Sequence, residues 1–214
     1  MGKTLSQKNI LFLAKEKPFA REAADLLLAH FPSAQIIFGQ RMDPFPENIM
    51  DKEFDYIMSY ISPWVVPAVL LEHTKLAAIN FHPGSPEYPG IGCTNFAIYE
   101  GSSDYGVTVH HMAPKVDTGK IIKVMRFPIF PRDSVYSLTQ RCYGYIYILF
   151  VEILDLIIRD KPLPLCRSRW MRKPFTRREL DDLCCLRKSM SENEIKKRTR
   201  AATYPGMPGA RWVE

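Results

Sequence analysis

The 214-residue chain has no apolar run long enough to cross a bilayer. Its most apolar window, YIYILFVEILDLII at 145–158, is 14 residues long and carries Glu152 and Asp155, whereas a spanning helix needs about 20 apolar residues. The window reads as a buried helix, and no membrane partner is expected. No apolar segment of secretory length follows the opening MGKTLSQKN. The cysteines, at 93, 142, 166, 184 and 185, match no zinc-ligand spacing and are odd in number. A metal site and a disulfide framework are therefore not expected, and a reduced, cytoplasmic protein is. Internal repeats and low-complexity linkers are also missing. What the chain does have, 46% hydrophobic and 12% aromatic residues, excludes disorder.

Positive charge is in excess: 29 Lys and Arg stand against 23 Asp and Glu, a net charge of +6. Fifteen of the 29 cations fall between Arg159 and Arg211. That bias fits either a solvated basic face or a polyanionic ligand such as a nucleoside diphosphate. The tail shows neither a helix-turn-helix nor a stacking sheet, so nucleic acid is not an expected partner.

Strand-like segments KNILFLA (8–14), AQIIFGQ (34–40), FDYIMSYIS (54–62) and LAAINFH (76–82) alternate with helical spacing in PFAREAADLLLAHF (18–31) and VVPAVLLEH (65–73). The alternation predicts an α/β fold, an open, mostly parallel Rossmann-like sheet with helices on both faces. Further on, CTNFAIYEG (93–101) reads as a helix, and GVTVHHMAP (106–114) and KIIKVMRFPI (120–129) read as strands joined by KVDTGK. A long helix over about 134–159 is expected, with Ser134 as its cap. Residues 1–159 form the expected main domain. Residues 160–214, basic and proline-punctuated, form a small carboxyl-terminal α+β extension in which Cys184 and Cys185 are expected on a helix as apolar filler.

One stretch stands apart: AAINFHPGSPEYPGIGCTNF, 77–96. Residues two apart on a strand share a face, so Asn80 and His82 project together where the strand ends. Ligands of open α/β sheets bind beyond the carboxyl ends of the strands. A histidine there can act as a general base, and an Asn amide can donate to a developing oxyanion. Such a pair also fits two side chains that merely satisfy local backbone groups. Asp-Thr-Gly in KVDTGK is likewise an ordinary turn signal. A carboxylate at Asp117, brought beside His82, would nevertheless raise the imidazole's pKa and orient the ring. Together Asn80, His82 and Asp117 would make a site for moving an acyl group. His110 and His111 point to opposite faces, one toward the cleft, and neither is assigned a catalytic role.

The series N-x-H-P-G, Y-P-G and a helix, then G-V-T-V-H and D-T-G-K-I-I, over about residues 54–125, resembles the folate-dependent formyltransferases. In that family the Asn, His and Asp of these motifs are the catalytic set, here Asn80, His82 and Asp117. The resemblance implies a catalytic domain over 1–159 and 10-formyltetrahydrofolate as formyl donor. Its pterin would lie against SYISPWVVP (59–67), which makes Ile61, Ser62, Trp64 and Asp117 the expected donor-binding residues. The glycine-rich phosphate loop of the glycinamide ribonucleotide enzymes is missing, since AKEKPFARE follows the first strand. The chain also ends too early for a full copy of the further domain of the methionyl-tRNA enzymes. HPGSPEYPGIGCTNFAIYEG, RKPFTRREL (172–180) and TYPGMPGA (203–210) resemble the branch that formylates amino sugars on nucleotide carriers.

That branch implies a dTDP-4-amino-4,6-dideoxy sugar as acceptor, a setting in O-antigen or related surface-polysaccharide synthesis, and a homodimer formed through the carboxyl-terminal region. Lys15 and Lys17 are then candidates for the diphosphate, ahead of Arg172, Lys173 and Arg177. Tyr88, Cys93 and Asn95 are candidates for the sugar, and Tyr204, Trp212 or Trp170 for stacking on the base. Methionyl-tRNA and glycinamide ribonucleotide are the alternative formyl acceptors.

Overall fold

The computed structural model describes residues 8–213; residues 1–7 of the expected main domain lie outside the described residues. Strand β1 (Ile10–Lys15) is apolar on both faces. Ile10, Phe12 and Ala14 enter one core, while Leu11 and Leu13 enter another. A strand of that kind has to be covered on both sides, as in a parallel sheet flanked by helices.

The chain continues through α1 (Ala20–His30), β2 (Gln35–Gly39), β3 (Tyr56–Tyr60), α2 (Ala68–Glu72) and β4 (Ala77–His82). It then forms α3 (Cys93–Glu100), β5 (Asp104–His111), β6 (Ile121–Pro128) and α4 (Val135–Ile158). The sheet order is β2-β1-β3-β4-β5-β6, parallel through β4 and antiparallel at β5 and β6. This is the expected open, mostly parallel sheet. The helix expected over 65–73 contracts to five residues because Pro67 occupies its N-cap.

The two faces are covered unequally. Helices α1, α3 and α4 fill the larger core, with Leu27, Phe96, Leu138, Phe150 and Ile157 buried among the strand side chains. The apolar window 145–158 lies in α4, which buries Ile146, Leu149, Phe150, Ile153, Leu154 and Ile157 on one face but leaves Ile148 and Val151 exposed on the other, so the expected buried helix is buried along one face only. Ser134 caps that helix, accepting from the Ser137 N–H at 3.1 Å while the Ser137 Oγ accepts from the Ser134 N–H at 2.9 Å; such a cap stabilises by about 1 kcal/mol. The other face carries only a small core of Leu11, Leu13, Ile49, Phe54, Ile57, Val66, Leu70 and Ala78. That thin cover leaves a depression at the carboxyl ends of β3 and β4. No helix among the described residues is long and apolar enough to cross a membrane.

The extension adds α5 (Arg177–Leu183), β7 (Cys185–Leu186), α6 (Glu192–Ala202) and β8 (Arg211–Trp212), with β7 and β8 paired in parallel. Cys184 and Cys185 are not helical, contrary to expectation. The helix ends at Leu183 because the Cys184 carbonyl accepts from the Arg211 N–H at 2.8 Å, drawing the chain into the β7–β8 pair. Asn95 donates its side-chain N–H to the Ala201 carbonyl at 2.7 Å, joining α3 to α6.

Candidate active site

Period-two alternation sets the site. On β4, Ala77, Ile79 and Phe81 enter the large core, so Asn80 and His82 face the thinly covered side. Antiparallel pairing places His110 of β5 opposite Asn80 and Thr108 opposite His82. The β5–β6 ladder slips between Val109 and His110, and irregularities of this kind recur next to active sites. Beyond β5 the chain turns back and delivers Asp117, whose backbone is left-handed at φ 47°.

Asp117 is the hub. Its Oδ2 lies 3.3 Å from His82 Nδ1 and accepts the Gly90 N–H at 2.7 Å. Its Oδ1 lies 3.1 Å from His110 Nε2 and accepts from Asn80 Nδ2 at 3.3 Å. Asn80 Nδ2 is also 3.0 Å from His110 Nε2. Exposure is 4% for His82, 2% for His110 and 4% for Asp117, so this is a dry polar cluster in which each charge must be balanced.

Burial pushes the Asp117 carboxyl up. The nearby His82, His110 and the Gly90 N–H pull it down by more, and hold it at about 2. Burial also lowers the pKa of His82, and the opposing attraction of Asp117 does not overcome it. A neutral His82 beside an ionised Asp117 follows near neutral pH. Its two ring nitrogens both face acceptors, Asp117 Oδ2 and the Tyr88 carbonyl, the latter 3.1 Å from Nε2. A neutral imidazole has one N–H to give, so with Nδ1–H on Asp117 the lone pair of Nε2 meets the Tyr88 carbonyl. Taking a proton from a substrate requires Nε2 to turn from that carbonyl toward it.

The proline-rich loop 83–92 is fitted tightly around the ring. A Cβ on Gly84 would lie 2.4 Å from His82 Nε2 and 2.6 Å from the Tyr88 carbonyl oxygen. Gly90, at φ 88°, forms a bridge with Phe175 of the extension, where a Cβ would lie 2.3 Å from the Phe175 carbonyl oxygen. Only glycine satisfies both demands at Gly90.

Two cavities open on this loop. The first, about 450 Å3, is lined by Ser59, Ile61, Ser62, Trp64, Asn80, His82, His110 and Asp117 among others, and closed by Gly90, Ile91 and Pro174–Thr176. The expected donor residues thus share a wall with the polar cluster. Ile61 is left-handed at φ 51°, rare for a β-branched side chain. Such strain is stored where a site needs a set geometry, at about 1–3 kcal/mol per residue. Trp64 is pinned by its Nε1–H, shared between the Asp43 and Pro44 carbonyls at 3.0 Å each.

The second cavity, about 500 Å3, gathers Lys15, Lys17, Arg41, Arg177 and Arg211 against a single carboxylate, Asp181. Cys93, Asn95 and Tyr204 also line it. Burial, then Lys17 and Arg41, lower the pKa of Lys15, the mark of a cation crowded by like charge. Burial raises the Cys93 thiol to about 11, and its Sγ donates to the Pro83 carbonyl at 3.3 Å.

Other expected positions lie elsewhere. Tyr88 lines neither cavity; its phenol donates to Glu100 at 2.8 Å and its ring stacks at 6.4 Å from Phe175. Its side chain packs, and only its carbonyl reaches the site. Arg172 lies over the Phe175 ring, 3.3 Å from its centroid, away from the cation cluster. Trp212 is exposed on β8, and Trp170 packs against the two histidines. His110, Arg41 and Arg211 are residues of these two sites that the sequence left unassigned. The signal for Arg41 lies in the sheet: Lys15 pairs with Gly39, so the turn after β2 runs beside Lys17.

A family model described as formyl transferase matches residues 40–154. The methionyl-tRNA formyltransferase of Latilactobacillus sakei subsp. sakei is 40% identical over 106 residues, 48% of this chain and 33% of that one. The chain spans less than half the length of the curated relatives it matches. Among solved structures, a 4-N formyltransferase from Francisella tularensis superimposes with a TM-score of 0.77 at 17% identity, covering 97% of this chain and 93% of that one. The N-formyltransferase from Helicobacter canadensis, in complex with folinic acid and dTDP-3-aminofucose, gives 0.72 at 20% identity, covering 89% and 79%. At these identities the structural likeness is one of fold. The family match takes in more than half of the chain and all four polar residues that meet at the end of β4: the chain belongs to the formyl transferase family.

Proposed function

We propose that the protein transfers a formyl group from 10-formyltetrahydrofolate to the amine of a nucleotide-linked amino sugar. The observation that carries this reading is the convergence of Asn80, His82 and Asp117 on the wall of one cavity. The first cavity suits the donor. It is largely apolar, with few polar groups, in the size range of small-molecule sites, and Val65, Ile91 and Val116 form an exposed apolar rim for an aryl group.

The donor supplies the activated formyl carbon. The acceptor nitrogen forms its bond to that carbon and sheds a proton, which His82 accepts. Asp117 steadies the imidazolium, with the Tyr88 carbonyl on its other nitrogen. Asn80 can stabilise the charge that develops on the formyl oxygen by exchanging its long 3.3 Å bond to Asp117 for one to that oxygen. The proton then passes from His82 to the departing folate nitrogen as the old carbon–nitrogen bond breaks, and His82 is neutral again.

The second cavity supports a diphosphate-bearing acceptor, because five cations face one carboxylate there. Tyr204 is the aromatic side chain of the three proposed for the base that lies in it. The same turn divides the cavities, with Gly90 and Ile91 on one side and Gly92–Asn95 on the other. A dTDP-4-amino-4,6-dideoxy sugar, destined for a surface polysaccharide, is the specific acceptor of this reading. The test is incubation with 10-formyltetrahydrofolate and a panel of dTDP-amino sugars, read by mass spectrometry. Formylation of at least one supports the reading; formylation of methionyl-tRNA alone replaces the acceptor.

A further inference from the structure

Trp170 of the extension forms a wall that the reaction as described does not use. Its ring lies edge-on to both imidazoles, with centroids 5.8 Å from His82 and 5.0 Å from His110. Its Nε1–H donates to the Gly119 carbonyl at 2.8 Å, two residues beyond Asp117. On its other side lies a surface groove shared with Lys120, Cys166, Arg167 and Arg169. The indole therefore stands between that groove and the two histidines, and it is not on the wall of the donor cavity.

Its place is fixed from both ends. The Met171 N–H donates to the Pro86 carbonyl at 3.0 Å and the Phe175 N–H to the Pro89 carbonyl at 2.9 Å, while the Ile91 N–H returns to the Phe175 carbonyl at 3.0 Å. Phe175 is stacked on Phe96 at 3.6 Å. The segment 170–175 is thus strapped onto the same proline-rich loop that wraps His82.

We propose that Trp170 is a positioning residue, which seals the outer side of the His82–His110 pair and keeps water from the imidazole that takes the proton. The inference rests on the reading of His82 as the base. Burial is the largest influence on that ring and acts against its charged form. The groups facing it are Asp117 from the turn, His110 from β5 and the Tyr88 carbonyl from the loop. Cys93, from α3, stays neutral because burial raises its thiol to about 11. Replacing Trp170 removes none of these groups. Arg167 and Arg169 just before the strap, and Arg172 within it, are exposed. Opening the wall therefore changes hydration before it changes charge, and a hydrated imidazole holds its proton more readily.

The test compares Trp170→Ala, Trp170→Leu and Trp170→Phe in the full chain. The His82 ring resonance, identified by its loss in His82→Asn, is titrated by NMR without substrate, and the acid limb of kcat/KM is recorded beside it. Trp170→Ala and Trp170→Leu are expected to move the His82 titration and the acid limb to higher pH, with Trp170→Phe near wild type. If the alanine variant does not fold, the leucine variant carries the comparison. A folded variant of either kind whose His82 titrates as in the wild type overturns the inference. A shifted titration in a protein whose wild type formylates nothing leaves the inference standing and removes the formyl-transfer reading instead.

Discussion

The Asp117 carboxylate stands 3.3 Å from His82 Nδ1, with both side chains buried. In the proposed reaction this pair would hold a proton, and in the resting protein the neighbours of Asp117 keep its carboxyl pKa low. Burial opposes that depression, but His82, His110 and the Gly90 N–H outweigh it and bring Asp117 from 3.8 to about 2. A carboxyl whose folded value lies below its unfolded value contributes stability that is complete above about pH 4. That stability is lost as pH falls through about 2, and the depression corresponds to about 2 kcal/mol. Urea unfolding of the wild type and Asp117→Asn should therefore differ less at pH 2 than at pH 5, by about that amount. A difference independent of pH would mean that Asp117 is not held down.

Gly39 shapes the first cavity, the proposed donor site, without lining it. A Cβ at this position would lie 2.1 Å from Trp64 Cζ2 and 2.2 Å from Cη2, and the indole is tied to the Asp43 and Pro44 carbonyls. Gly39→Ala should displace the Trp64 wall and weaken binding of tetrahydrofolate roughly tenfold, about 1.4 kcal/mol. Binding of the nucleotide sugar should be unchanged. Calorimetric titration of each ligand separately checks both halves, and unaltered folate affinity would remove Trp64 from the donor site.

Cations of the second cavity should act together. Lys15→Ala, Arg41→Ala and Arg177→Ala are each expected to weaken binding of dTDP roughly fivefold at low salt, about 1 kcal/mol. The loss should shrink as salt screens the site. Binding indifferent to all three would move the diphosphate elsewhere. Lys173, exposed and outside the cavity, is the control.

Much of this site is legible in the residues because strand alternation is a strict rule. Asn80 and His82 must share a face, and the apolar run LAAINFH (76–82) must end where those polar side chains begin to project. The same rule leaves His110 and His111 as equals. Only the β4–β5 register, with Asn80 opposite His110, selects His110. Asp117 reaches the histidines through a left-handed residue, a conformation that KVDTGK permits without encoding, so its placement comes through the family resemblance. Cys184 and Cys185 leave the helical pattern because their partner, Arg211, is distant in sequence. Tyr88 stands in a loop next to the site, yet its phenol turns away to Glu100; a loop residue's direction depends on backbone geometry that composition does not carry.

In the proposed reaction His82 takes the proton of the attacking amine. The most direct measurement is single-turnover formyl transfer by the wild type and His82→Asn, each with saturating 10-formyltetrahydrofolate and a dTDP-amino sugar that the wild type formylates. A proton-accepting role for His82 predicts unchanged folate binding and transfer slowed about 10²- to 10⁴-fold in the variant. Transfer at the wild-type rate by a folded His82→Asn protein would contradict it.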